Sequence, residues 1–215
     1  MAAIEEATPV ESEFRCWDGV SQNSLTLALS PPVTRCVEVD LVDQRSRVMH
    51  GQRLLGHLSL MVTSKSVYRH PVGKAFIEAM ACRTQLSEDL RERVYTAVQE
   101  ALMNALMHGN LQIESGTRDS LESLMETHEK IEQKLASPQV ACGMISVEAI
   151  WNYKMLHVLI RDSGTGFKKA ELPAPEAWAE EGHFGSGRGI SILEAICDRV
   201  VLLDGGSTIK LGFRL

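Results

Sequence analysis

The longest helical pattern in the chain, over residues 86–110, constrains the fold and the function more than any other stretch. Ser87 is a favourable N-cap residue, and Gly109 is a favourable C-cap residue. Apolar residues recur between them at helical spacing and define one broad face: Val94, Ala97, Val98, Ala101, Leu102, Ala105 and Leu106. The pattern therefore predicts one long helix that packs against a core.

Three polar residues, Glu100, Asn104 and His108, interrupt the second half of this helix at i, i+4 and i+8. Successive members are displaced by about 40° around the axis, so they form one polar stripe. The stripe is either the solvated edge of an amphipathic helix or a ligand site. No Lys or Arg follows Arg93 within the helix, which favours a site. There an amide oxygen can ligate a hard cation, and a carboxylate can accept a proton.

Composition and charge exclude several classes of protein. The formal net charge of −6 and the absence of a basic stripe argue against a nucleic-acid binder. The acidic start lacks the features of a signal peptide, and no apolar run approaches the roughly 18 residues of a membrane span. We expect reduced, buried thiols in a cytoplasmic protein, because no CxxC pair occurs among Cys16, Cys36, Cys82, Cys142 and Cys197.

The first 56 residues are predicted to be an N-terminal extension. Residues 1–14 are expected to be disordered, and strands are expected over 24–30 and 35–43. A strand over 57–64 and one helix over 66–84 then precede the long helix. These elements introduce the folded region of the chain.

The C-terminal half alternates between helices and strand pairs. A charged surface helix is predicted over 118–136, ended by Pro138, and it is expected to pack on its own domain rather than dock a partner. A hairpin follows, then a flexible connection over 170–189, a helix over 190–200 and a hairpin over 200–213. The elements together predict an α+β two-layer sandwich, with helices packed on one face of a mixed β-sheet.

The segment DSGTGF, residues 162–167, follows a strand with alternating apolar residues. Asp162 can accept a hydrogen bond from an exocyclic amine. Gly164 and Gly166 allow the backbone to approach a planar ligand closely. Taken alone the segment is weak evidence, because Asp-Ser-Gly is also a common turn.

A second glycine-rich segment, GSGRGI, opens onto the helix predicted to begin at Ile190. Backbone N–H groups at a helix N-terminus bind phosphate well, and Arg188 can add charge-assisted hydrogen bonds. Glycine-rich loops also occur as linkers, and this one is neither a Walker A loop nor a Rossmann fingerprint. The candidate phosphate-binding residues are Gly185, Ser186, Gly187, Arg188, Gly189 and Ile190.

The order of the three motifs is more specific than any one of them. E-x-x-x-N on a helix, D-x-G-x-G after a strand and G-x-G-x-G before a helix together resemble the GHKL, or Bergerat-fold, ATPases. EALMNALMHGN, DSGTGF with Phe167, and the short connection before GSGRGI resemble the anti-sigma-factor serine kinase branch. The resemblance implies a histidine kinase-like ATP-binding domain over 57–215. A helical insertion over 111–139 and the extension over 1–56 depart from the family pattern.

The resemblance also implies a set of ligands and roles. ATP and Mg²⁺ are the implied cofactors, with Asn104 as the magnesium ligand and Glu100 as the general base. Asp162 would bind the adenine amine, and Gly164, Gly166 and Phe167 would shape its pocket. His108 and Asn110 would lie near the phosphates, which the glycine-rich loop of residues 185–189 would enclose together with Ile190.

The function implied by the resemblance is that of a bacterial, ATP-dependent protein serine/threonine kinase that controls a regulator. The implied partners are a STAS-type antagonist, a sigma factor, or a response-regulator or phosphatase module, and a homodimer stays open. Two alternatives remain: a nucleotide-gated binding module without phosphotransfer, and the catalytic half of a sensor histidine kinase. A gyrase- or MutL-like motor is disfavoured, since the chain has no room for a transducer domain.

Overall fold

The computed structural model describes residues 13–47, 56–113, 120–164 and 188–215. The strands in these ranges are β1 (Phe14–Trp17), β2 (Arg35–Glu38), β3 (Gly56–Thr63), β4 (Met144–Trp151), β5 (Met155–Asp162), β6 (Arg199–Leu203) and β7 (Thr208–Arg214). The α-helices are α1 (Gln22–Ala28), α2 (Ser64–Arg69), α3 (Val72–Ala81), α4 (Glu88–Asn104), α5 (Leu121–Leu135), α6 (Pro138–Ala141) and α7 (Arg188–Ile196).

The described strands form one mixed sheet in the order β1-β2-β3-β4-β5-β7-β6. The pairs β1–β2 and β2–β3 are parallel, and the remaining neighbours are antiparallel. The helices α1, α3, α4 and α7 share the main hydrophobic core with one face of this sheet. The predicted α+β sandwich with helices on one face of a mixed sheet is confirmed.

The core is built from alternate residues of the central strands. Val147 of β4 and Ile160 of β5 are register partners, and both are fully buried against the helical layer. Helix α4 meets them with the apolar stripe read from the sequence, of which Val94 and Val98 are fully buried. Period two in the strands and period 3.6 in the helix therefore place their apolar faces against each other.

A smaller cluster lies on the other face of the sheet. A 3₁₀ segment, Val39–Arg47, carries Leu41 onto Val37, Met61 and Met144. Because adjacent strand residues point to opposite faces, this cluster is separated from the main core by the sheet itself. The predicted strand over 35–43 is therefore correct only as far as Glu38.

The described part of the N-terminal segment is tied into the sheet through a buried carboxylate. Glu38 accepts hydrogen bonds from the backbone N–H of Thr63 at 2.7 Å, from Thr63 Oγ1 at 3.0 Å and from Ser66 Oγ at 2.6 Å. Three donors compensate the cost of burying this charge. The segment thus joins the first helix after β3 rather than standing apart from it.

The strand predicted over residues 24–30 is wrong, because the chain there forms α1. Leu25, Ala28 and Leu29 are buried at the i, i+3, i+4 spacing of a helix. Leu27, which completed the apparent alternation, is 68% exposed. The Ser21 side chain caps the helix by accepting from the Ser24 N–H, a local signal that outweighs three alternating leucines.

The single helix predicted over residues 66–84 is also wrong, since α2 and α3 are separated at His70–Pro71. Proline disfavours the α conformation in the residue before it, and His70 is extended at φ −126° and ψ 149°. Pro71 then occupies the N-cap position of α3. The break allows the two helices to follow different directions.

The predicted long helix is confirmed as α4, but its end differs from the prediction. The backbone continues beyond Asn104 as a π-helix, Ala105–Asn110, so Gly109 lies inside a wide helical turn and is not a C-cap. The helix predicted over 190–200 is α7, which ends earlier, before β6 begins at Arg199.

The surface helix predicted over 118–136 is α5, and only half of its apolar stripe packs on the domain. Ile131 and Leu135 are buried, whereas Leu121 and Met125 are exposed. The helix ends at Leu135, and Pro138 begins α6 instead of terminating α5. Proline suits this first helical position because its missing N–H would have no partner there.

All five cysteines are free, but the expectation that they are buried holds only for Cys36 and partly for Cys197. The thiols of the other three are exposed: Cys16, Cys82 and Cys142. The predicted disorder of residues 1–14 and flexible connection of residues 170–189 lie largely outside the described residues.

Candidate functional site

The end of β5 and the π-helix after α4 meet at the centre of the candidate site. A Cβ atom on Gly109 would lie 2.4 Å from Asp162 Cγ, and one on Gly164 would lie 2.3 Å from the Gly109 carbonyl oxygen. Neither position has room for a side chain. The two glycines therefore bring the DSG turn directly against the helix that carries Glu100 and Asn104.

Asp162 is a buried carboxylate at the end of β5, with 8% of its surface exposed. Burial raises the pKa of this carboxyl from 3.8 to about 6, although a hydrogen bond of 2.8 Å from the Gly164 N–H acts in the opposite direction. The Asp162 carboxylate is thus mostly ionised at neutral pH. It can accept a hydrogen bond from a ligand amine in a pocket that is largely apolar.

Glu100 and Asn104 lie next to each other, half-buried, beneath the first turn of α7. A Cβ atom on Gly189 would lie 2.4 Å from Glu100 Oε1 and 2.9 Å from Asn104 Nδ2. The structure therefore brings together one residue of the glycine-rich motif and two residues of the helical stripe, which are more than 80 positions apart in the sequence.

A small cavity of about 20 Å³ lies between Asp162 at the end of β5, Asn104 of α4 and Ile190 of α7. This volume is far below the about 300–1,000 Å³ of typical small-molecule sites. Sequence reasoning identified three of its lining residues: Asn104, Asp162 and Ile190. Among the lining residues that the structure describes, it missed Ala101, Ala105, Ile160, Leu202, Gly206 and Ile209.

Signals for the missed residues are present in the sequence. Ala101 and Ala105 belong to the apolar face of α4, where their small side chains leave room beside Asn104. Gly206 stands in the connection between β6 and β7 with φ at 98°. The Gly205–Gly206 pair signalled a turn, but the sequence does not reveal that this turn reaches the cavity.

The other two polar residues at the end of the helical motif make defined contacts. His108 Nδ1 donates to the carbonyl oxygen of Ile113 at 2.9 Å, just after the π-helix. Asn110 Oδ1 accepts from the Ser163 N–H at 2.9 Å and from Ser163 Oγ at 3.0 Å. Asn110 is thus bonded directly to the DSG turn, beside Asp162.

Helix α7 is anchored at its C-terminal end by Arg93 of α4. The Nε and Nη2 atoms of Arg93 donate to the Ile196 carbonyl oxygen at 3.0 and 2.9 Å. Arg93 also lies 3.7 Å from Asp198, whose carboxylate accepts from the Arg214 N–H at 2.9 Å. These bonds hold the far end of the helix whose first turn covers Glu100 and Asn104.

Several predicted site residues lie outside the described part of the chain. They are Gly166, Phe167, Gly185, Ser186 and Gly187. The backbone at Arg188 begins α7. Their predicted roles at the adenine pocket and the phosphates stay predictions.

The donor set at Glu100 and Asn104 suits Mg²⁺. Carboxylate and amide oxygens are hard ligands, and Mg²⁺ in nucleotide sites is held by one or two protein groups together with phosphate oxygens and water. Among the described residues, no group of three His, Cys, Asp or Glu side chains could hold a metal ion by itself. Asn104 would hold the ion, and the phosphates would complete its coordination.

Comparisons with known proteins place this geometry in a family. The family model described as the histidine kinase-like ATPase domain matches residues 70–213, which is more than half of the chain. The match includes all three motifs. A comparison with curated proteins gives no match. Among the described helices, none has the length and apolar character needed to cross a bilayer.

Proposed function

This chain belongs to the family of histidine kinase-like ATPase domains, and from that premise we propose that it binds ATP and is a protein serine kinase of the anti-sigma-factor type. The observation that supports the proposal most is the contact of Gly189 with both Glu100 and Asn104. It joins a carboxylate, a metal-ligating amide and the start of the phosphate-binding helix at one point. Phosphoryl transfer depends on this kind of positioning and charge neutralisation.

Each motif has a role in this proposal. Asp162 accepts a hydrogen bond from the adenine amine, and Asn104 ligates the Mg²⁺ that neutralises charge on the phosphates. Glu100 accepts the proton of a substrate serine hydroxyl. The serine oxygen bonds to the γ-phosphorus while the bond from that phosphorus to the β-phosphate oxygen breaks, and ADP is the leaving group.

The proposed substrate is a serine of a STAS-type antagonist protein, and the proposed regulated partner is a sigma factor or a similar regulator. The five free thiols favour a reducing, cytoplasmic compartment. The exposed part of the α5 stripe is an additional surface on which such partners can be recognised.

The test is transfer of labelled γ-phosphate to a panel of purified STAS-domain proteins. Glu100→Gln should abolish transfer while ATP binding remains, because the amide keeps the shape of the side chain but cannot take up the proton. Glu92→Gln, a change of the same kind on the exposed face of the same helix, is the matched control and should transfer normally.

Two results would overturn different parts of the proposal. Full transfer by Glu100→Gln would remove the general base from the mechanism. ATP binding without transfer to any member of the panel would favour the nucleotide-gated binding module instead.

A further inference from the structure

The side chain of Asn110 uses both ends of its amide. Its Nδ2 donates to Ser64 Oγ at 2.8 Å and to the Met144 carbonyl oxygen at 3.1 Å, and its Oδ1 accepts from Ser163. A backbone carbonyl can only accept and a backbone N–H can only donate, so the orientation of this amide is unambiguous. The Asn110 amide therefore bonds to Ser64 and Met144 through its nitrogen and to Ser163 through its oxygen.

The amide nitrogen of Asn110 is bonded to Ser64, which follows β3, and to Met144, which begins β4; these two residues are here called the sheet frame. Ser64, fully buried where β3 passes into α2, donates from its N–H to the Gly143 carbonyl oxygen at 2.7 Å and from its Oγ to the same oxygen at 3.1 Å. Met144 is the first residue of β4 and is also buried. The frame therefore fixes the position of the Asn110 side chain.

The oxygen end of Asn110 holds the turn that carries Asp162. Ser163 is exposed, and its N–H and Oγ both donate to Asn110 Oδ1, whereas the next N–H, that of Gly164, donates to Asp162 Oδ1. The peptide unit between Asp162 and Ser163 is thus held by Asn110, the last residue of the π-helix. Without this bond the carboxylate would keep its hydrogen bond from the Gly164 N–H and its packing on Gly109, but the peptide unit beside it would lose its support.

We propose that Asn110 is a positioning residue that sets the direction of the Asp162 carboxylate and thereby the choice of purine base. The inference rests on the adenine-binding role of Asp162 proposed above. A 6-amino group donates to a carboxylate, whereas a 6-oxo group presents a second acceptor and is repelled. Discrimination between the two depends on the carboxylate being held in line with the base.

The experiment compares the affinities of ATP and inosine triphosphate by calorimetric titration with Mg²⁺. The wild type should prefer ATP, and Asn110→Ala should reduce that preference by about tenfold or more, which is the size expected when a charged hydrogen bond loses its alignment. Asn152→Ala is the matched control. It removes the same kind of side chain at the opposite end of β5, where Asn152 Oδ1 accepts from the N–H groups of Lys154 and Met155, so the preference for ATP should stay.

A second variant keeps the inference testable if Asn110→Ala does not fold. Ser163→Ala changes an exposed residue and removes only one of the two bonds to Asn110 Oδ1, so an intermediate, roughly threefold reduction in preference is expected. Equal preference for ATP in the wild type, Asn110→Ala and Ser163→Ala would overturn the inference.

The remaining outcomes separate this inference from the kinase proposal. An equal loss of preference in Asn152→Ala and Asn110→Ala would also overturn the inference, because it would indicate general loosening rather than positioning. A wild type with no preference for ATP would remove the role of Asp162 on which the inference depends. An intact preference without phosphotransfer would contradict only the kinase proposal.

Discussion

The backbone of Gly164 lies so close to Gly109 that a Cβ atom on Gly164 would be 2.3 Å from the Gly109 carbonyl oxygen. The obstacle is backbone, which cannot rotate away as a side chain does. Gly109 is itself covered by the Asp162 carboxylate. The turn that carries Asp162 and the end of the helix that carries Asn104 therefore meet through two glycines.

Gly164→Ala should separate these two backbones and displace Asp162. We expect a loss of about 2–3 kcal/mol in the free energy of unfolding, by overpacking, together with a loss of ATP binding. Urea denaturation and calorimetry measure the two effects. Gly205→Asn is the control, because Gly205 has φ at 69°, which Asn tolerates, and nothing within 4 Å of a Cβ atom. Normal ATP binding by Gly164→Ala would contradict the prediction.

Asn104→Ala should abolish binding of Mg²⁺–ATP with little loss of stability. The side chain is half-buried at the edge of the small cavity, so its truncation removes little packing. Calorimetric titration and thermal unfolding of the same preparation provide the two readouts. A variant that loses its folded state would show instead that Asn104 has a structural role.

Asp162→Asn should stabilise the protein, and more so at high pH. The folded-state pKa of Asp162, about 6, lies above its ordinary value of 3.8, so ionisation opposes folding. The wild-type penalty is absent below pH 3.8, grows as pH rises and is complete above pH 6. We expect the variant to gain about 2 kcal/mol at pH 8 and almost nothing at pH 4. Urea denaturation at both values tests this, and an equal gain at both would refute it.

Arg93→Ala should release the C-terminal end of α7 from α4. Two hydrogen bonds from the guanidinium to the Ile196 carbonyl oxygen are lost, and we expect a cost of about 1–2 kcal/mol, because the side chain is partly exposed. Affinity for ATP should also fall, since α7 begins at the phosphate-binding motif. Arg91→Ala removes an exposed arginine two residues earlier on the same helix. It should change neither the free energy of unfolding in urea nor the affinity for ATP in calorimetric titration.

The cysteines should differ in their reaction with iodoacetamide. Burial raises the pKa of the Cys36 thiol to about 12 and that of Cys197 to about 11, so both are thiols at pH 8. The exposed residues Cys16, Cys82 and Cys142 should be alkylated first, as followed by peptide mass spectrometry. Early labelling of Cys36 in the folded protein would contradict the packing of β2.

Much of the fold follows from periodicity that can be read in the sequence. The apolar stripe of α4 and the alternation in β4 and β5 predict which faces are buried, because each pattern matches only one secondary structure. The prediction was wrong at α1, where the alternating leucines match the pattern of a strand but the Ser21 N-cap favours a helix. It failed again at Pro71, where one residue divides a continuous apolar pattern into two helices.

The candidate site was predictable in its parts but not in its contacts. The sequence identifies Glu100 and Asn104 as a carboxylate–amide pair, and Asp162 as an acid that can accept from an exocyclic amine. That Gly109 lies against Asp162, and that Asn110 bonds to Ser163 and Ser64, depends on a π-helical turn that no periodicity signals. Contacts between segments about 50 residues apart in the sequence depend on how the sheet assembles. Neither periodicity nor composition predicts them.

The narrow cavity under α7 has a consequence for the time course of nucleotide binding. The cavity has space for about one water molecule, so a purine that entered it would require α7 to separate from α4 before or during association. If separation comes first, the observed association rate should level off as the ATP concentration rises, at the rate at which the two helices part. Arg93, which fastens the far end of α7, would then act on the speed of capture as well as on its strength.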